Sequence, residues 1–125
     1  MYNSYNVKGI NTQMHKKTLM IDLDGVLNEY DGKFNENIIP NLRAGAAEFL
    51  NKLCSLNKYE LVLFTTRPEK LASKWLKDNG INHYFKEITN IKKPASIYID
   101  DRALKFNGDY NKTLDEIENF KVYWK

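Results

Sequence analysis

Apolar positions along this chain fall into short unbroken runs and helical stripes separated by polar turns. The first run is Leu19-Met20-Ile21-Asp22-Leu23-Asp24-Gly25-Val26-Leu27. It reads as a buried strand that carries two carboxylates, one residue apart, onto a glycine turn. Tyr59 to Phe64 predicts a second buried strand, ending in Thr65-Thr66-Arg67. Ile97-Tyr98-Ile99 predicts another, ending in Asp100-Asp101. Between them, Leu42, Ala46, Phe49, Leu50 and Leu53 form the apolar stripe of a helix opening at Pro40. Leu71, Ala72, Trp75 and Leu76 form the stripe of a second helix, opened by Pro68 and stopped by Asn79-Gly80. Weaker signals predict a strand within His83 to Thr89 and a final strand from Phe120 to Trp124. The capping-box spacing of Thr113 and Glu116 predicts a short helix between them. Asn28 to Asn37 is polar, with Asp31-Gly32 between Tyr30 and Phe34, and suggests a small hairpin or flap beside the acids.

Strand and helix alternate, which implies an α/β fold: a Rossmann-like parallel sheet with helices on both faces and right-handed crossovers. At 125 residues the chain holds one core and needs neither disulfides nor a structural metal to fold. Residues 1–17 are polar and without periodicity, so a loose arm is expected there, followed by a single domain over 18–125. The net charge of +3 permits a nucleic-acid partner without indicating one. Cys54 is the only cysteine, which rules out an internal disulfide, and no stretch resembles a signal peptide or a membrane span. A reducing cytoplasm and no membrane partner are the expectation.

Three predicted strands end in polar groups: Asp22 and Asp24, then Thr65, then Asp100 and Asp101, with Lys93 ahead of the last. In a parallel sheet the carboxyl ends of strands lie side by side and form the ligand crevice. Several carboxylates there suit Mg²⁺, a hard cation that pairs with phosphate and offsets the repulsion among the acids. A lysine and a hydroxyl would hold phosphoryl oxygens, and one carboxylate would attack phosphorus.

In that order, Asp22-Leu23-Asp24-Gly25-Val26, Thr65, Lys93 and Asp100-Asp101 resemble the four motifs of the haloacid dehalogenase (HAD) superfamily. The resemblance extends from Thr18 to about Phe106. It implies Asp22 as nucleophile and Mg²⁺ ligand, passing through an aspartyl-phosphate. Asp24 would protonate the leaving oxygen, then activate the hydrolytic water, and ligate the metal through its backbone carbonyl. Thr65 would hydrogen-bond the phosphoryl group, and Lys93 would neutralise it. Lys93 is chosen over Lys92 because family members carry Lys-Pro before the last motif. Asp100 would bind the metal directly and Asp101 through water. Gly25, Thr66 and Arg67 fall beside these motifs as substrate-binding positions, and Arg102 could add a phosphate contact. An aspartate at position 24 implies a phosphatase, since an alkoxide leaving group needs a proton.

Fifteen residues separate Asp24 from Pro40 and 27 separate Thr65 from Lys93, too few for an inserted cap domain. Such open sites resemble phosphatases of sugar phosphates, nucleotides or polynucleotide ends, or members whose oligomeric partner serves as a lid. Two other classes compete. Motif order argues against a response-regulator receiver, because its Lys-Pro follows the fifth strand. A noncatalytic HAD-like module that binds phosphate or a protein partner differs from the enzyme only in releasing no phosphate.

Overall fold

The computed structural model describes residues 16–125, so the expected N-terminal arm lies, through residue 15, outside the described residues. The strands are β1 (Lys17–Asp22), β2 (Tyr59–Phe64), β3 (Phe85–Thr89) and β4 (Ile97–Ile99). The helices are α1 (Ala46–Ser55), α2 (Glu69–Asp78) and α3 (Tyr110–Glu118), with a 3₁₀ turn at Asn82–Tyr84. The four strands form one sheet in the order β3-β2-β1-β4. All three pairings are parallel, with Asp22 beside Phe64 in one register and Ile21 beside Ile99 in the other. β1 is therefore flanked on both sides, and its carboxyl end lies between the ends of β2 and β4.

The core explains why these runs became strands. Leu19 and Ile21 of β1, with Leu61 and Leu63 of β2, point to one face and are buried there with Ala46 and Leu50 of α1 and Ala72 and Leu76 of α2. Each fully buried leucine or isoleucine contributes about 1.5–3 kcal/mol relative to exposure. A register slip of one residue would turn that whole set to the other face. Met20 and Val62 are also buried and alternate with this set, toward the opposite face. An apolar cleft of about 650 Å³ lies between Met20, Phe64, Tyr98 and Leu104. α3 adds no buried residue.

Four features differ from the sequence expectation. The first helix begins at Ala46 rather than Pro40. Leu42 forms an antiparallel bridge with Asn28, and the Arg43 amide donates to Leu27 O at 2.9 Å, which holds this stretch extended. The same bridge makes the flap one broad loop closed at residues 28 and 42, not a hairpin at Asp31-Gly32, where only an Asp31 side-chain turn to the Lys33 amide forms. The last helix starts at Tyr110 under an Asp109 cap that accepts from the Lys112 amide, so Thr113 is inside the helix and not its cap. Residues 120–124 form no strand; Tyr123 and Trp124 lie in a turn.

Candidate active site

Asp22 ends the central strand, and Asp100 and Asp101 follow the end of its neighbour β4. One carboxylate oxygen from each of the three lies within 4.8 Å of the others. The Asp22 carboxyl is pushed up from 3.8 to about 8, chiefly by burial, then by the charge of Asp100, a hydrogen bond with Asp101, and the charges of Asp101 and Asp24. Three converging oxygen donors with no cation among them fit a hard divalent ion. Neutralising that cluster is the contribution such an ion would make.

Asp24 has a different setting. Past Asp22 the chain turns tightly, with Leu27 N donating to Leu23 O at 3.0 Å, and Gly25 takes φ 87°, a conformation that a side chain would strain. The turn aims the Asp24 carboxylate toward β2. There Arg67 makes a two-pronged contact, Nε to Oδ2 at 2.9 Å and Nη2 to Oδ1 at 3.0 Å. Asn28 donates to Oδ1 at 2.9 Å and accepts from the Gly25 amide at 3.1 Å. Arg67 is only 4% exposed. Its remaining donor, Nη1, reaches Asn35 O at 2.8 Å and Glu36 O at 3.3 Å, and the Phe34 ring lies 4.6 Å from the guanidinium. Arg67 thus joins Asp24 to the flap, and its charge is committed to Asp24 rather than to the open cleft.

Thr65 is buried at the end of β2, its amide donating to Thr89 O at 3.0 Å and its Oγ1 accepting from the Arg67 amide at 3.1 Å. Among the described residues its hydroxyl hydrogen has no acceptor, so it is available to an incoming oxygen. A cleft of about 250 Å³ opens between Asp22, Thr65, Thr66 and Asp100, rimmed by Tyr30 and Phe34. Lys93 is not part of this group: its Nζ is paired with Glu87 at 2.6 Å, and both side chains are partly exposed. Gly25 sits beneath Asp101 and Trp124 instead of facing the cleft. Arg102 stacks on Tyr30 and Trp124, its Nη2 donating to the Tyr30 hydroxyl at 3.3 Å, while its amide donates to Asp100 Oδ1 at 2.8 Å.

The structure therefore brings Asp22, Asp100, Asp101 and Thr65 together, places Asp24 beside them under Arg67, and leaves Lys93 on Glu87. Sequence reasoning missed Asn28, which is fully buried, and Trp124, whose indole Nε1 donates to Asp101 Oδ2 at 2.5 Å. Asn28 carried a usable signal, since an amide four residues after Asp24, where the turn returns to the sheet, can reach back to that carboxylate. Trp124 carried none, because it contacts the site only through tertiary structure.

No curated protein matches the chain. Among solved structures, it resembles a conserved protein of Bacteroides thetaiotaomicron at 22% identity and a TM-score of 0.54, covering 86% of this chain and 94% of that one, a likeness of fold. The family model for NLI interacting factor-like phosphatases matches residues 17–122, from the first residue of β1 to beyond α3. That span includes both acidic motifs, Thr65 and Lys93, and the chain belongs to this HAD-like phosphatase family.

Proposed function

We propose that this phosphatase is a Mg²⁺-dependent phosphomonoester hydrolase that works through an aspartyl-phosphate on Asp22. The observation that carries the reading is the convergence of Asp22, Asp100 and Asp101 at the carboxyl end of the central strand. Bound Mg²⁺ would neutralise the three carboxylates and the phosphoryl oxygens, so that two anions can meet.

The chain's own groups account for the rest. A carboxylate oxygen of Asp22 attacks phosphorus, and the bond to the ester oxygen breaks in line. The leaving oxygen takes a proton from Asp24, which enters the cycle protonated and so released from its two-pronged contact with Arg67. A water molecule then attacks the same phosphorus and gives its proton to Asp24, which frees phosphate and regenerates Asp22. Thr65 donates its hydroxyl hydrogen to a phosphoryl oxygen. Lys93 can join only after leaving Glu87, which the partial exposure of that pair permits.

The shallow cleft suits sugar phosphates, nucleotides or polynucleotide ends, whose bulk can remain outside. Among the described residues no helix is long and apolar enough to cross a membrane. We place the reaction in the cytoplasm, where Cys54 stays a thiol.

The test is phosphate release across a panel of these substrates, with and without Mg²⁺ and with Asp22→Asn as control. Turnover that needs Mg²⁺ and vanishes in the variant supports the proposal and names the substrate class. Binding of Mg²⁺ and a phosphate analogue without release of phosphate would leave a noncatalytic module instead.

A further inference from the structure

The last residues of the chain turn back onto the acidic motifs. Trp124 Nε1 donates to Asp101 Oδ2 at 2.5 Å, and the Tyr123 hydroxyl donates to the carbonyl of Gly25. Tyr30 meets the Trp124 ring edge-on at 5.2 Å between centroids, and the Arg102 guanidinium stands 5.4 Å from the same ring. Arg43 lies 5.1 Å from the ring of Tyr123. The fit depends on two glycines. A Cβ at Gly25 would lie 2.1 Å from Asp101 Oδ2 and 3.1 Å from Trp124 Nε1, and one at Gly32 would lie 3.0 Å from Trp124 Cζ3. The indole is therefore seated on two parts of the loop after β1 while it holds an acid that follows β4.

An indole N–H can only donate, so it fixes one oxygen of Asp101 as its acceptor. The indole thus restrains the same carboxylate that offers one oxygen within 4.8 Å of those of Asp22 and Asp100. Metal centres are commonly tuned in this way, by a hydrogen bond that fixes the orientation of a ligand.

We infer that Trp124 is a positioning residue of the cation site: its N–H orients Asp101, while Tyr123 ties the chain end to the loop bearing Asp24. This rests on reading Asp22, Asp100 and Asp101 as the cation site. It assigns a role in that site to the chain end, far from the motifs in sequence, which acts on affinity for the ion rather than on the bond-breaking step.

The test is calorimetric titration with Mg²⁺ and Mn²⁺ of the wild type, Trp124→Phe and Trp124→His. The phenylalanine variant keeps an aromatic ring but loses the donor, and should bind the ion about tenfold more weakly. The histidine variant restores an N–H and should recover part of the affinity. In assays, the ion concentration for half-maximal activity should rise while the rate at saturating ion stays near that of the wild type. A second measurement needs no change at Trp124. The chain has two tryptophans, so Trp75→Phe leaves Trp124 as the sole indole, and its emission should shift as the ion saturates.

Unchanged affinity in Trp124→Phe overturns the inference. So does equal weakening in both variants, which would make the ring and not the donor responsible. Trp124 emission that ignores an ion bound by calorimetry would do the same, even if the Trp124 variants fail to fold. A wild type that binds neither ion removes the cation site itself, and this inference with it.

Discussion

One residue separates Asp22 from Asp24, yet the fold gives them opposite surroundings. Asp22 is still part of the strand, so it meets what the neighbouring strand end supplies, which is two more acids. Asp24 lies past the strand, where the turn through Gly25 aims it at a buried arginine and an amide. One carboxylate has a built-in cation. The other is buried among like charges, and burial first, then those charges, push its carboxyl up to about 8. Under the proposed mechanism, the group that attacks phosphorus would be kept with an exchangeable counter-ion, while the group that carries protons would have to leave a counter-ion built into the scaffold. A permanent cation on Asp22 would block the oxygen that has to attack.

The largest effect that tests this contrast is loss of the proposed nucleophile. Asp22→Asn should lower phosphate release by about 10⁴-fold or more, since the covalent route through this carboxylate is lost. The same variant should stabilise the cation-free protein. Asp22 has its folded pKa raised from 3.8 to about 8, so between those values the folded chain keeps a proton that the unfolded chain has lost. Its contribution is fully present below about pH 4 and is lost as pH rises toward 8. Thermal melts in chelator should show stability falling across that window in the wild type, with a flatter profile in Asp22→Asn. Saturating Mg²⁺ should flatten the wild-type profile as well. A wild-type slope of the opposite sign would mean that burial and the neighbouring acids do not disfavour the charged form of Asp22.

Next in size is Arg67→Met. It leaves Asp24 partly buried without its cation and releases the carbonyls of Asn35 and Glu36, and should cost about 3–5 kcal/mol in denaturant unfolding. Arg67→Lys should recover only a fraction, because an ammonium cannot make the two-pronged contact. Asn28→Ala is milder, at about 1–3 kcal/mol, since it removes one donor to Asp24 and the acceptor of the Gly25 amide while Arg67 remains.

These two residues show where the sequence stopped being readable. The runs from Leu19 to Asp22 and from Tyr59 to Phe64 declared themselves as strands because both faces of a central parallel strand are buried and apolar. The acids at their ends followed from topology alone. The partners of those acids did not. Arg67 adjoins the Thr65 motif and reads equally well as a phosphate contact or a surface ion pair; the direction of its side chain makes it a buried partner of Asp24 instead. Leu42 fitted a helical stripe, yet its bridge to Asn28 keeps it extended. Phe120 to Trp124 has the aromatic and β-branched content of a strand, but Tyr123 and Trp124 are fastened to Gly25 and Asp101, contacts that local propensity does not encode.

The smallest expected effect concerns Lys93, a cation that neither aspartate holds. Paired with Glu87 at 2.6 Å, it is 42% exposed at the side chain and its partner 35%, so water and salt screen the pair. Glu87→Gln should therefore change stability by no more than about 1 kcal/mol. Its effect on function should run opposite to that of the other variants. Freed from Glu87, the ammonium can turn toward phosphate, and KM for a phosphomonoester should fall about two- to threefold, equivalent to roughly 0.5 kcal/mol. Lys93→Met in either background should raise KM and abolish the difference between them. If Glu87→Gln instead raises KM, the Lys93–Glu87 pair itself supports the bound substrate, and the cation proposed at Asp22 would be left as the principal positive charge facing phosphate.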